Sequence, residues 1–331
     1  MTSADHSFNR IIGQEKAKDL LLRAVAGEKM SHAYLFRGQA GVGKKMTARA
    51  FAAYINCSAS SAAGACGVCP SCLKFRADSH PDLLVIEPEG AAIKINQIRA
   101  LKKSLSFPSF EAKYRVVLLT DVQTMRREAA NSLLKTLEEP PEDTVLILTG
   151  DEAGNILSTI ISRCQIIPFH SLPYEQVALA LLKDSDMSEE NAATLAAIAE
   201  GSLGRARILN EKKLLLLRRE IIEKLMAFQP DQPEAVETVF ALAATAAKRK
   251  EDLVELFDLL AAWFRDLMFI VSGIQNKIIN HDLMQSLRNA TRRWDLEQLS
   301  ARLRMVQQAK RQLDRNCNSA LVCEVLFFGL L

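Results

Sequence analysis

Apolar residues fall in two regimes along the chain. Over the first half, short continuous apolar runs at 33–36, 83–86, 116–119, 145–148 and 165–167 read as strands, separated by segments of helical period. Helices are expected from Lys44 to about Tyr54, where Met46, Ala50, Phe51 and Tyr54 share a face, and over 95–105. Another should run from about Thr124 to Glu139, where Pro140-Pro141 stops it, and a short one should lie near 156–162. Continuous apolar strands alternating with helices imply a parallel sheet buried on both faces. From about Pro173 the strands vanish. Leu253, Leu256, Phe257, Leu260, Trp263, Phe264 and Leu267 then mark one long amphipathic helix. Gly201-Ser202-Leu203-Gly204 interrupts the helical pattern and reads as a junction. The expected class is α/β followed by all-α: a parallel α/β domain over 1–169, a small helical domain over 170–210 and a larger one over 211–331.

With 331 residues, 49% hydrophobic and 24% charged, the chain is long enough for two or three domains with sizeable cores. Lys and Arg number 42 against 39 Asp and Glu, a net +3, which argues against a nucleic-acid binder held by charge alone. Lys248-Arg249-Lys250 and Arg292-Arg293 are short enough to read as solvated helix faces. No apolar run approaches the roughly 18 residues of a membrane span, and the first ten residues carry no signal core. A soluble, cytoplasmic protein is expected.

Seven cysteines are an odd number, and four crowd together as Cys57, Cys66, Cys69 and Cys72. Four thiolates with Cys-x-x-Cys spacing suit a closed tetrahedral zinc site, structural rather than catalytic. An iron–sulfur cluster is the rival, but its next ligand would fall at Arg76. Cys164, Cys317 and Cys323 are scattered and read as buried small hydrophobes.

The first strand runs into Gly38-Gln39-Ala40-Gly41-Val42-Gly43-Lys44 and then a helix, the context of a phosphate-binding loop. Glycines let backbone N–H groups converge on an anion at a helix N-terminus, and Lys44 would reach the β- and γ-phosphates. The next residue should be a hydroxyl that ligates magnesium. It is Lys45, whose ammonium has no lone pair to give and repels a cation. A metal-associated carboxylate should close the strand at 116–119, yet Thr120 follows and Asp121 comes one residue late. That shift aims a side chain at the other face unless a bulge restores it. The pattern is that of a nucleotide hydrolase without its metal chemistry.

The run 131–141, Asn-Ser-Leu-Leu-Lys-Thr-Leu-Glu-Glu-Pro-Pro, then Ser162-Arg163-Cys164, closely resembles the bacterial DNA polymerase III clamp-loader subunits of the AAA+ superfamily. Ile12-Gly13-Gln14, the run from His32 to Phe36, the four-cysteine insert over 57–72 and Gly201–Arg205 add to the resemblance, which spans about 210 residues in order. The helical remainder, with Trp263-Phe264-Arg265-Asp266, is similar to the family's oligomerisation collar, and 170–210 to its lid. Motor members, called gamma or tau, keep an intact phosphate loop and an Asp-Glu pair. Lys45 and Thr120-Asp121 depart in the manner of the delta-prime members.

The resemblance implies a place in an ATP-driven complex with gamma/tau motor subunits and a delta subunit, which loads the sliding clamp on primed DNA. It implies structural zinc, and no ATPase or polymerase activity of the chain itself; because Gly43-Lys44 is kept, binding of ATP without hydrolysis stays open. Arg163 is the implied arginine finger, donated to a neighbour's γ-phosphate, against the ordinary reading of a surface ion pair. Arg205 matches a sensor arginine that approaches nucleotide, or else ties the lid to the first domain. Thr149 matches the sensor position at a strand end, and His32 is a family residue or a packed side chain. The alternatives are a gamma/tau-like motor ATPase and a stand-alone zinc DNA-binding protein.

Overall fold

The computed structural model describes residues 7–27, 29–61, 64–152, 156–227 and 235–330. Its first compact unit extends to Gln176 and its second begins at Val177. In the first unit the chain order is α1 (Glu15–Ala26), β1 (Ala33–Arg37), α2 (Lys44–Ile55), α3 (Pro70–Arg76), β2 (Leu83–Ile86) and α4 (Ile95–Leu105). Then come β3 (Arg115–Leu119), α5 (Arg127–Glu138), β4 (Thr144–Gly150), α6 (Ser158–Ile161) and β5 (Gln165–Pro168). The five strands are all parallel, in the order β2-β3-β4-β1-β5.

Strand periodicity sorts the core into two layers. Tyr34, Phe36, Val116, Leu118, Val145 and Ile147 pack with Phe51 and Leu21 on one face. Ala33, Leu35, Val117, Leu119, Leu146 and Leu148 pack with Ile98, Leu101, Leu133 and Leu137 on the other. Residues of one run thus serve both faces, which is why these strands are apolar throughout rather than alternating. The functional end of such a sheet lies beyond the carboxyl ends of its strands, where connections diverge to opposite faces. Loops after β1, β3 and β4 meet there.

The second unit is entirely helical among its described residues: the rest of α7 (Tyr174–Asp184), α8 (Glu189–Ile198), α9 (Leu203–Glu211), α10 (Leu214–Ala227), α11 (Ala235–Ala247), α12 (Leu253–Val271), α13 (Met284–Ala290), α14 (Leu296–Asp314) and α15 (Ser319–Leu330). All seven residues of the expected apolar stripe on α12 are fully buried, and Trp263 meets Trp294 edge-on at 6.0 Å. Beneath them Arg218, wholly buried, pairs with Asp282 and Asn280, and Asp266 accepts from the Ile279 and Asn280 N–H groups at 2.8 Å each.

Several details differ from the expectation. The break at Gly201–Gly204 is the start of a helix. Ser202 caps α9 by accepting from Arg205 N–H at 3.1 Å, and Gly204 lies inside the helix. Residues of the expected lid and collar share one compact unit, with Thr194 bonded to Asp282. Cys317 is exposed, because it sits in a turn between Asn316, at positive φ, and Asn318, which caps α15. Cys164 and Cys323 are covered, and burial pushes both thiols up to about 12. Arg293 is not a solvated charge: it lies over the Trp294 ring and donates to the Met226 carbonyl at 2.8 Å. Among the described residues no helix is long and apolar enough to cross a membrane.

Candidate functional site

The loop between β1 and α2 has the backbone of a phosphate cradle. Gly41 and Gly43 take φ of +76° and +103°, open to glycine at little cost. At Gly38 a Cβ would lie 2.3 Å from the Phe169 carbonyl oxygen, so only glycine lets the loop pass β5's exit. Gln14 clips the same region from the N-terminal side. Its Nε2 donates to the carbonyls of His170 at 2.6 Å and Val42 at 3.3 Å, and its Oε1 accepts from His170 N–H.

Lys44 is turned inward. Its ammonium donates to the Gly38 carbonyl and, at 2.7 Å, to that of Gln39, and the residue is 7% exposed. Burial lowers its pKa, and the nearby Asp151 and Asp121 carboxylates oppose that shift. Lys45, in the place of the metal-ligating hydroxyl, is ion-paired with Glu87 beyond the end of β2. Thr120 is buried, whereas Asp121 is exposed and turns the chain at φ +52° instead of bulging the strand. The Thr149 hydroxyl accepts from Asp121 N–H at 3.2 Å, tying the ends of β3 and β4 together. Lys44, Lys45, Thr120, Asp121 and Thr149 are thus all carried by the strand-end loops and the start of α2. No arrangement of two carboxylates around a metal position is formed by them.

The other two basic candidates are engaged within their own units. Arg163, just after α6, sends Nε to Glu138 at 2.7 Å and Nη2 to the same carboxylate, while Nη1 donates to the Thr159 carbonyl at 3.0 Å and to Ser162 Oγ at 3.2 Å. Its side chain is 33% exposed. Arg205 binds Glu255 at 2.8 Å and Asp258 at 3.2 Å, both on α12. His32 contacts the Leu137 carbonyl through Nε2 at 2.9 Å but is exposed, not a packed side chain.

The four cysteines converge. Their Sγ atoms all lie within 4.8 Å of one another, with Cys66 and Cys72 at 3.9 Å. A tetrahedral centre with metal–sulfur bonds of about 2.3 Å has edges of about 3.8 Å, so the donor set fits such an ion. Backbone N–H groups point at the sulfurs: Cys66 to Cys57 at 3.2 Å, Cys69 to Cys66 at 3.3 Å and Cys72 to Cys69 at 3.5 Å. N–H donors from Val68 and Cys69 lower the Cys66 thiol. Burial acts to raise Cys69, but donors from Cys72 and Ser58 outweigh it and hold the thiol at about 6. Arg76 donates to the Gly67 carbonyl at 2.7 Å and braces the knuckle from outside.

Glu87, which binds Lys45, and Glu255 and Asp258, which bind Arg205 within the helical unit, carry no motif. Glu138, the partner of Arg163, lies within the recognisable run at 131–141, though its pairing is not readable from it.

The family model described as "DNA polymerase III, delta subunit" matches residues 13–173, and that for its C-terminal part matches 213–330. The delta-prime subunit of DNA polymerase III from Bacillus subtilis is 29% identical over 305 residues, 92% of each chain. That of Pseudomonas aeruginosa is 34% identical over 258 residues, covering 76% of this chain and 74% of the relative. The tau subunit from Escherichia coli is 32% identical over 213 residues, 63% of this chain but 33% of that longer protein. With the parallel α/β unit, the covered phosphate loop and the four-cysteine cluster already in place, the chain belongs to the delta-prime family of DNA polymerase III subunits.

Proposed function

We propose that this subunit is a non-hydrolysing, structural member of the clamp loader, working beside gamma/tau motor subunits and a delta subunit in the cytoplasm. The observation that carries the reading is the phosphate loop: Lys44 is bound by the loop's own carbonyls and Lys45 is ion-paired where a magnesium ligand would stand. Phosphoryl transfer needs a metal ion bridging the β- and γ-oxygens and a positioned water. A cation at the metal position and a displaced Asp121 supply neither, which disfavours the motor-ATPase alternative. ATP, if held, would have to draw Lys44 out of its two carbonyl contacts.

The active contribution would come through Arg163, offered across an interface to a nucleotide on a motor neighbour. The guanidinium stands partly exposed just after α6, within the Ser-Arg-Cys motif. The cysteine cluster would hold zinc, which supplies a permanent cross-link between the loop after α2 and α3. A lid over 170–210 and a collar over 211–331 are the working subdivision of the helical part, and the sliding clamp and primed DNA are the substrates of the assembled complex. Reconstitution tests the reading. Clamp loading by motor and delta subunits should depend on adding this chain, while the chain alone turns over no ATP. Magnesium-dependent turnover by the chain alone, abolished in Lys44→Ala, would establish a motor instead.

A further inference from the structure

One surface of the α/β unit is built more rigidly than its sequence requires. The loop from Ser106 to Lys113, between α4 and β3, presents Phe107 at 63% and Phe110 at 84% exposure. Unsupported, such side chains would be expected to fold back onto the protein. Here the backbone is fixed from both sides. Asp82, almost fully buried, accepts from the N–H groups of Phe110 at 2.7 Å and of Glu111 and Ala112 at 2.9 Å each. Arg115 donates to the carbonyls of Phe107 at 2.7 Å, Ser104 at 3.1 Å and Pro108, and lies 3.5 Å from Asp82. Asp82 and the Arg115 Nη groups thus find their partners within the protein, and both rings stand exposed. A Lys74–Glu111 ion pair ties the loop's far side to α3.

Between the two rings opens a cavity of about 390 Å³, walled by Pro81, Leu84, Lys103, Phe107, Pro108 and Phe110. It adjoins the start of β2, the edge strand of the sheet, all four of whose residues are half-buried. Lys103 lines it, Lys102 is exposed beside Lys103 on α4 and Lys113 is exposed at the end of the loop; none of the three forms an ion pair among the described residues, and Lys113 lies over the Tyr114 ring at 5.2 Å. Their carboxylate neighbour on the loop, Glu111, is already paired with Lys74.

We propose that this edge is a docking site for a protein partner, an extended acidic peptide segment that seats one aromatic side chain between Phe107 and Phe110. The cavity has the size of the smaller ligand pockets, room for one large side chain. An edge strand offers main-chain pairing to an extended segment, while a side pocket gives specificity. Lys103 at the pocket, with exposed Lys102 beside it on α4, matches a carboxylate-rich sequence in charge. A single strand of nucleic acid fits less well. It needs a continuous cationic track with stacking faces, and here exposed Glu142 and Asp143 follow immediately beside Arg115, whose N–H donates to the Asp143 carbonyl. Rigid presentation also lowers the ordering cost that binding would otherwise carry.

The test is fluorescence anisotropy on the full chain with a labelled peptide of about eight residues, acidic at both ends around a Val-Phe-Val core. Saturable binding that weakens with salt is expected. It should fall about tenfold when the peptide's phenylalanine becomes alanine, and about as far in the Phe110→Ala and Lys103→Glu chains, as for a central anchor. Both substituted positions are exposed, so the variants should melt like the parent. Absence of saturable binding overturns the proposal, as does binding unchanged by Phe110→Ala. Equal or tighter binding of a single-stranded oligonucleotide of matched length would reassign the surface to nucleic acid. Sedimentation showing dimers that Phe110→Ala abolishes would reassign it to a second copy of this chain.

Discussion

Substitution at Arg163 separates a finger from an ordinary ion pair, because the two roles predict very different magnitudes. The guanidinium has five N–H donors. Glu138 takes one from Nε and one from Nη2, and Thr159 and Ser162 take the two on Nη1, which leaves one. Gripping a phosphate with two donors therefore requires Arg163 to give up at least one bond to Glu138. With side chains 33% and 47% exposed, that ion pair is worth only about 0.5–1 kcal/mol. In a unit of this size, Arg163→Ala should accordingly lower the melting temperature by no more than about 2–4 °C. Under the finger reading, the same change in the reconstituted complex removes a charge worth about 10³–10⁵ in phosphoryl transfer at the site it faces. The whole-complex ATPase and clamp-loading rates should then fall partially, since one motor neighbour is affected. Arg163→Lys should do nearly as badly, lacking the planar fork. Glu138→Gln acts in the opposite sense. Releasing a pair worth about 1 kcal/mol should leave the rate unchanged or raise it by up to about fivefold. Parent-like loading by the Arg163→Ala complex would refute the finger. A fall in Glu138→Gln as deep as in Arg163→Ala would show that Glu138 aims the guanidinium rather than restraining it.

Purified under reducing conditions, the protein should carry one zinc per chain. Cys69→Ser should lose the metal and loosen α3 in hydrogen exchange, because metal binding and local folding are coupled; iron with sulfide on metal analysis would contradict this. The isolated chain should hydrolyse no ATP, and Lys45→Ser should not restore turnover, since the carboxylate partner is missing too; malachite-green release above background would count against the argument. Asp82→Asn should cost about 3 kcal/mol in urea unfolding at neutral pH by weakening three N–H acceptances and leaving Arg115 without its counter-charge. Burial acts to raise the Asp82 carboxyl, but those donors and Arg115 outweigh it and its pKa is depressed. Its stabilisation is therefore present above about pH 4 and lost as pH falls through the folded-state value, so the parent and Asp82→Asn curves should converge in acid. Arg218→Met should destabilise the helical unit by about 3 kcal/mol, by leaving Asp282 only Arg219 at 3.4 Å and the Thr194 hydroxyl, and pairing it with Asp282→Leu should recover most of the loss.

The strands were legible because each is a local, unbroken apolar run, and 83–86 was read to its observed ends. The α12 stripe was legible for the same reason, period being a property of neighbours in sequence. The cysteine cluster could be read from spacing, since Cys-x-x-Cys turns bring sulfurs together without help from the rest of the fold. What stayed hidden was everything set by long-range topology. Nothing near Glu87 announces that the end of β2 lies beside Lys45, 42 positions earlier. Cys317 was misread because its two asparagine neighbours, a turn and a cap, outweigh the thiol's own preference for burial.

Those hidden partners explain why the nucleotide site should be silent better than the missing metal ligands do. A hydrolase presents its cations to a polyanion, and their value depends on being uncommitted before the ligand arrives. Here Lys44 is bound by two carbonyls, Lys45 by Glu87, and Arg205 by Glu255 and Asp258. The costs of freeing them differ. Lys44 is almost fully covered, so a phosphate would have to replace two buried hydrogen bonds to gain one charge. Arg163 is held by the half-exposed Glu138 carboxylate, the Thr159 carbonyl and Ser162 Oγ, partners that water already competes for. Lys45 and Arg163, whose carboxylate partners are both about half exposed, are easier to detach than Lys44. On the proposed reading, such an arrangement suits a subunit that holds its own nucleotide poorly and lends Arg163 to a neighbour's.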